Sequence, residues 1–188
     1  DVCEACGLID MSFMTKLVVA GRDAGAVLQR LSTSNIDTGK ITYTQWLNEK
    51  TGGIEADVTV CKLPRVPWAP TDDAFLVVAT DTIHRRVQAM VRREVRATEM
   101  CTVVDVTGGL AKIDVQGPSS NVLPSLDDLP FRGVATTSIG RCASVLAARL
   151  TYVGEHGYEL FVPSEHAMDV HDAIVERGKP HGLRHVGL

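Results

Sequence analysis

The chain has 188 residues, 45% hydrophobic and 22% charged, which excludes intrinsic disorder and is long enough to bury roughly 70% of the unfolded surface. With 19 Lys and Arg against 23 Asp and Glu, the formal net charge is −4, arguing against a nucleic-acid binder that lives on bulk positive charge. No apolar run approaches the length that crosses a bilayer.

In chain order, residues 1–9 read as a helix end running into Asp10-Met11-Ser12, and Lys16–Ala20 as a short strand stopped by Gly21. Asp23 is an N-cap candidate for a helix over 24–32, with Ala24, Val27, Leu28 and Leu31 on one face. Ile41–Leu47 is β-forming, Asn48–Gly53 is rich in turn formers, and Ile54–Leu63 is the return strand of a hairpin. Pro64–Asp73, with its prolines, is a loop, and Ala74–Thr80 a strand. Asp81 or Thr82 is expected to cap a helix over 83–95, with Ile83, Val87, Met90 and Val91 inward and Arg85, Arg86, Arg92 and Arg93 outward. Such a basic face is more often solvated than phosphate-binding. Cys101–Val106 and Leu110–Val115 read as strands, and Gly117-Pro118-Ser119-Ser120 as a helix opening. Leu123–Leu129 is helical or irregular, Arg141–Leu150 and Leu160–Val162 are strands, and Ser164 is placed to cap a helix over 165–177. Neighbouring strands that pair, with helices laid on them, give an α+β architecture rather than a doubly wound fold. Neither a dinucleotide fingerprint nor a P-loop follows any strand, and there is no nucleophile elbow.

Five cysteines, Cys3, Cys6, Cys61, Cys101 and Cys142, argue against a disulfide framework and for a reducing compartment, cytoplasmic or, in a eukaryote, the mitochondrial matrix. Cys3 and Cys6 have C-x-x-C spacing, but zinc needs a second close pair of ligands. The pairs His166/His171 and His181/His185 carry spacing alone, so no metal is expected. The sequence starts at Asp1 and stops inside an apolar pattern at Leu188, which reads as a fragment.

Three segments carry candidate chemistry. In Gly52-Gly53-Ile54-Glu55-Ala56-Asp57-Val58-Thr59-Val60 a glycine turn feeds a strand, and alternation puts Ala56, Val58 and Val60 on one face and Glu55, Asp57 and Thr59 on the other. Asp is depleted in strands, so Asp57 is either solvent-facing or lines a cavity. In Thr151–Leu160, Gly154 and Gly157 allow a sharp reversal. Beside it, Glu159 offers a carboxylate that accepts two parallel hydrogen bonds from an amidine-like N–H edge, and Tyr152 and Tyr158 offer faces for a flat heterocycle. The alternative is a surface hairpin with a tyrosine in the core. Val115-Gln116-Gly117-Pro118 is a strand-to-helix turn, or an anion-attracting helix start.

Taken in order, Asp10–Met14, Tyr43-Thr44, Gly52–Val60, Val115–Pro118 and Thr151–Leu160 resemble the aminomethyltransferase folate-binding family. That family includes the glycine-cleavage T-protein and the tetrahydrofolate-binding portions of dimethylglycine and sarcosine dehydrogenases, and the wording here is nearer the flavoenzyme-linked branch. The resemblance implies an α+β fold with mixed or antiparallel sheets in two subdomains, 1–110 and 111–188, without the family's C-terminal β-barrel. It implies tetrahydrofolate as cofactor, Asp57 as the catalytic carboxylate near the reacting nitrogens, and Glu159 as the pterin anchor. Met14, Thr44, Val77 and Tyr152 fall at folate-lining positions. The implied activity is one-carbon transfer giving 5,10-methylenetetrahydrofolate, with a lipoyl carrier protein or an upstream flavin domain as partner and neither nucleic acid nor membrane involved. The alternative is a non-catalytic regulatory or scaffold module. The chain departs from the family pattern at Ala56, where T-proteins often carry a second Asp, and at Ala79, where the family has Asn; the family Arg after the last helix falls beyond Leu188.

Overall fold

The alternation around Asp57 sets the first sheet. In the computed structural model, which describes residues 2–36, 39–69 and 73–187, Ile54–Lys62 (β4) buries Ala56, Val58 and Val60 and turns Asp57 outward. Thr42–Leu47 (β3) pairs with it antiparallel, Thr44 opposite Val58 and Gln45 opposite Asp57. The hairpin turn closes through a 2.8 Å bond from the Asn48 N–H to the Gly53 carbonyl, with Gly52 at φ +70. Ala74–Ala79 (β5), Thr15–Ala20 (β2) and Thr102–Asp105 (β6) extend an all-antiparallel sheet of order β3-β4-β5-β2-β6. Two helices cover its apolar face, Ala24–Leu31 (α1) through Val27 and Leu28 and His84–Glu94 (α2) through Val87 and Val91. The Arg30 guanidinium ties them by holding Glu94 at 2.5 Å and Glu99 at 2.9 Å.

The chain divides into two compact units, Phe13–Thr107, which holds that sheet, and Asp1–Ser12 with Gly108–Leu188. The second unit has a six-stranded sheet of order β11-β1-β7-β10-β9-β8. Its strands are Cys6–Asp10 (β1), Leu110–Gln116 (β7), Val134–Ile139 (β8), Cys142–Ala148 (β9), Gly157–Pro163 (β10) and Leu183–Val186 (β11). Only β1 and β11 pair parallel. Ala167–Gly178 (α3) lays Val170 and Ile174 on Ile113, Val115, Leu160 and Val162. Among the described residues neither sheet closes into a barrel, and no helix is long and apolar enough to cross a membrane.

Several expectations change. Residues 1–9 are expected to read as a helix end, but Cys6–Asp10 form β1, because β7 on one side and β11 on the other supply the hydrogen-bond partners. The first residues thereby join the later unit. Gly117-Pro118-Ser119-Ser120 opens no helix. Gly117 ends β7 at φ +123, and a Cβ there would run into the backbone oxygens of Val2 and Ala5. The following turn is held by a 2.9 Å bond from the Ser119 N–H to Ala5. The helices are where the periodicity puts them, yet none makes a side-chain N-cap bond. Asp23 instead accepts the Met100 N–H at 2.8 Å, and the Ser164 hydroxyl donates to Gly108 at 2.8 Å. Part of the expected loop over 64–73 lies outside the described residues.

Gly117→Ala should lower stability by roughly 2 kcal/mol or more, since it forces a left-handed φ on an L-residue and drives a methyl into backbone. Urea unfolding followed by circular dichroism measures this. A loss below about 0.5 kcal/mol, the usual surface effect, would show that the turn relaxes freely.

Candidate functional site

Asp57 stands on the outward face of β4, its carboxylate exposed. The Tyr43 hydroxyl donates to its Oδ2 at 2.7 Å. Tyr43 lies opposite Thr59 and Gln45 opposite Asp57, so the phenol reaches diagonally across the hairpin, within range of a long side chain. The Asp57 bond, with some help from burial, holds the Tyr43 phenol above its ordinary pKa. Asp57 thus has one oxygen fixed by a neutral donor. It is suited to accept an N–H, to hold a developing cation, or to take a proton in passing.

Thr44 and Val77, also expected in this unit, do not share that face. Thr44 pairs with Val58, and Val77 with Val60, so both point to the helix-covered side of the sheet. Thr44 is buried and accepts the Ser34 N–H at 3.1 Å. Val77 belongs to the apolar core. Met14 is half-buried at the start of β2, its carbonyl accepting the Lys16 ammonium at 2.8 Å. A cleft of about 650 Å³ is lined by Leu31, Leu47, Asn48, Glu55, Arg86 and Arg93, among others. None of Met14, Thr44, Asp57 or Val77 lines it.

In the other unit, Glu159 points to the face of β10 away from the core, while its neighbours Tyr158 and Leu160 point in. Tyr158 is wholly buried and its hydroxyl donates to the Leu126 carbonyl at 3.1 Å, so it is a core residue rather than a stacking face. Tyr152 is exposed, and its N–H donates to the Gln116 Oε1 at 3.1 Å. The Gln116 Nε2 donates to the Leu150 carbonyl at 3.3 Å, which ties the turn before β10 to the end of β7.

Glu159 has a neighbourhood that the motif reading missed. Asp114 on β7 lies directly across from it. The Lys112 ammonium sits 2.7 Å from both Asp114 oxygens and 3.1 Å from the Glu159 Oε1. Lys112 and Asp114 are completely buried and Glu159 nearly so. Burial pushes the Asp114 carboxyl up to about 7; Lys112 opposes that rise and Glu159 adds to it. Burial works against the charge on Lys112, but the two carboxylates outweigh it and leave its pKa raised. A signal was available in the sequence: Lys112 and Asp114 are opposite charges two apart in an otherwise apolar strand, hence on one face.

Cys3 is exposed and Cys6 buried, both free thiols. Burial raises the Cys6 pKa to about 11, so Cys6 is a poor source of the thiolate that redox exchange requires. Among the described residues no three His, Cys, Asp or Glu side chains converge to hold a metal ion.

Residues 1–188 match the GCVT N-terminal domain family. The chain is 35% identical over 194 residues to a 4-methylaminobutanoate oxidase (formaldehyde-forming) of Paenarthrobacter nicotinovorans, covering 98% of this chain and 22% of that protein. It is 30% identical over 196 residues to an aminomethyltransferase of Clostridium botulinum (strain Kyoto / Type A2), covering all of this chain and 50% of the relative. The fold is similar to the glycine cleavage system aminomethyltransferase T from Bartonella henselae, with a TM-score of 0.78 at 21% identity over 98% of this chain and 48% of that one. It is also similar to a chain of the heterotetrameric sarcosine oxidase from Corynebacterium sp. U-96, with a TM-score of 0.69 at 15% identity over 97% of this chain and 88% of that one. The chain thus spans about half the length of the aminomethyltransferases it matches and about a fifth of the oxidase.

Asp57→Asn should bring the ionisation of Tyr43 to lower pH, because an amide supports the neutral phenol less than a carboxylate does. An ultraviolet titration of both proteins, with Tyr43→Phe identifying the Tyr43 step, reads the shift directly; an unmoved step would mean that the pair is absent in solution. Lys112→Met should cost about 3–5 kcal/mol by stranding two buried carboxylates, whereas Lys112→Met with Asp114→Leu, which strands Glu159 alone, should cost clearly less, about 1–3 kcal/mol. Equal losses in the two proteins, by urea unfolding, would contradict this account of the triad.

Proposed function

The chain belongs to the GCVT N-terminal domain family, and on that footing we propose that it is the tetrahydrofolate-binding part of an enzyme that moves a one-carbon unit onto tetrahydrofolate, giving 5,10-methylenetetrahydrofolate. The observation that carries this reading is Glu159. It is a nearly buried carboxylate, held by Lys112 through one oxygen, and no other donor reaches it among the described residues. A carboxylate so placed is matched by a ligand edge bearing N–H donors, which is what the pyrimidine ring of a pterin presents.

When bound, tetrahydrofolate supplies the nucleophilic nitrogens. Glu159 binds and orients the pterin through its N–H edge. Asp57, steadied by Tyr43 at 2.7 Å, orients a reacting nitrogen, balances positive charge and accepts a proton. Its exposure favours that role, because water can reach the carboxylate and carry a proton to or from it.

The names of the relatives support a reading of the donor. One is named a formaldehyde-forming oxidase of an N-methyl amine, and others are named aminomethyltransferases. Both chemistries deliver carbon at the oxidation level of formaldehyde. A methylene-iminium cation reacts with tetrahydrofolate, which gives up one hydrogen from each of two nitrogens. The products are methylenetetrahydrofolate and the released amine in its protonated, ammonium form. The cation arrives either from a flavin-dependent amine-oxidising domain or from an aminomethyl group on a lipoyl carrier protein, whose carbon–sulfur bond breaks to release the lipoyl sulfur as a thiolate. The higher identity to the oxidase favours the first.

Calorimetric titration with tetrahydrofolate tests the reading. Glu159→Ala should abolish measurable binding. Asp57→Asn should keep affinity within about tenfold while turnover falls by roughly a hundredfold or more. Absence of binding to the unaltered protein would instead make it a scaffold that has kept the fold, and unchanged turnover in Asp57→Asn would remove that residue from the mechanism.

A further inference from the structure

Lys112 is one of the largest wholly buried side chains of the protein, and nothing in the reaction above requires it. A buried lysine is costly unless its charge is matched, so its surroundings carry information. It lies two residues from Asp114 on β7 and therefore on the same face, and Asp114 is directly opposite Glu159 on β10. The contacts are unequal. Both Asp114 oxygens sit 2.7 Å from the ammonium and the Glu159 Oε1 at 3.1 Å. The Asp114 side chain is fully enclosed, whereas that of Glu159 is 11% exposed. The ammonium is therefore chiefly neutralised by Asp114. What Glu159 receives from it is a direction and a weaker share of charge.

We propose that Lys112 and Asp114 are a positioning pair for Glu159, fixing the direction of its carboxylate through one oxygen while leaving the carboxylate open as an acceptor, so that the site selects a ligand edge carrying two adjacent N–H donors, such as the 2-amino group and ring N–H of a reduced pterin. This rests on the tetrahydrofolate reading above and names the part of the ligand that is recognised. Remove Lys112 and Glu159 loses its fixed direction. Remove the charge of Asp114 and the ammonium turns to Glu159, quenching the acceptor. A merely structural triad behaves otherwise, since apolar side chains of similar volume replace a buried ion pair with little loss of stability.

The test uses three full-length proteins, the parent, Lys112→Met/Asp114→Leu and Asp114→Asn, each titrated calorimetrically with tetrahydrofolate and with its 2-deamino analogue at a pH above the Asp114 titration. The parent should favour tetrahydrofolate by at least about tenfold, because the analogue leaves an acceptor unmatched. The double variant should be more stable than Lys112→Met alone, bind tetrahydrofolate at least about tenfold more weakly than the parent and lose most of the preference. Asp114→Asn, which is nearly isosteric, should weaken tetrahydrofolate more than the analogue. A folded double variant whose affinity stays within about twofold and whose preference is intact overturns the pair's role. Should that variant not fold, unaltered affinity in Asp114→Asn overturns it equally. A parent protein that binds no tetrahydrofolate overturns the underlying reading and this inference together, whereas binding by the parent that survives unchanged in the variants overturns this inference alone.

Discussion

Two carboxylates placed directly across from one another on adjacent strands, both largely withdrawn from water, would force a β-sheet apart. Asp114 and Glu159 occupy such positions on β7 and β10, and the Lys112 ammonium between them makes the arrangement possible. Burying each ion costs several kcal/mol, and opposite charge in good geometry is what offsets it. β7 and β10 are central strands of the six-stranded sheet. Their other faces hold Ile113, Val115, Tyr158, Leu160 and Val162 in the apolar core with α3. A strand buried on both faces is normally apolar throughout. Here one face departs from that rule, and it departs at the residue for which a ligand-anchoring role is proposed. Such local violations tend to mark working parts of a protein.

The two candidate carboxylates represent opposite solutions. Asp57 is exposed on a hairpin and steadied by one neutral phenol 2.7 Å away. Glu159 is enclosed and held by a cation. A group that takes and releases protons gains from water and from mobile neighbours. A group that recognises a fixed pattern of donors gains from rigidity and a low local dielectric, where each hydrogen bond is worth more and a mismatch costs more. Environment, rather than residue type, separates the two proposed roles.

What the sequence revealed follows from the range of the forces involved. Period-two alternation is local, so Ala56, Val58 and Val60 could be placed inward and Asp57 outward without knowing any partner strand, and the structure agrees. The α1 and α2 stripes are likewise local. Cys6–Asp10 and Leu183–Val186 are short strands whose only strong reason to be strands is each other and β7, far away along the chain. Val134–Ile139 is rich in threonine and lies at a sheet edge, where one face need not be apolar. The Tyr43–Asp57 bond was hidden for a related reason: it is diagonal, and depends on the hairpin register.

Lys112 and Asp114 are a different case, because their signal was local. In Leu110-Ala111-Lys112-Ile113-Asp114-Val115-Gln116 three polar side chains alternate with apolar ones. Alternation alone is ordinarily read as one wet face and one dry face. The structure makes both faces dry, and nothing within the strand distinguishes those outcomes. The distinction comes from composition: a solvated face tolerates any polar mixture, whereas an enclosed face demands balanced charge. Lys112 and Asp114 cancel, and Gln116 satisfies itself on the Leu150 carbonyl and the Tyr152 N–H. That balance is consistent with burial, but what encloses the face comes from outside the strand, and Glu159, contributed by β10, is the further carboxylate that meets it there.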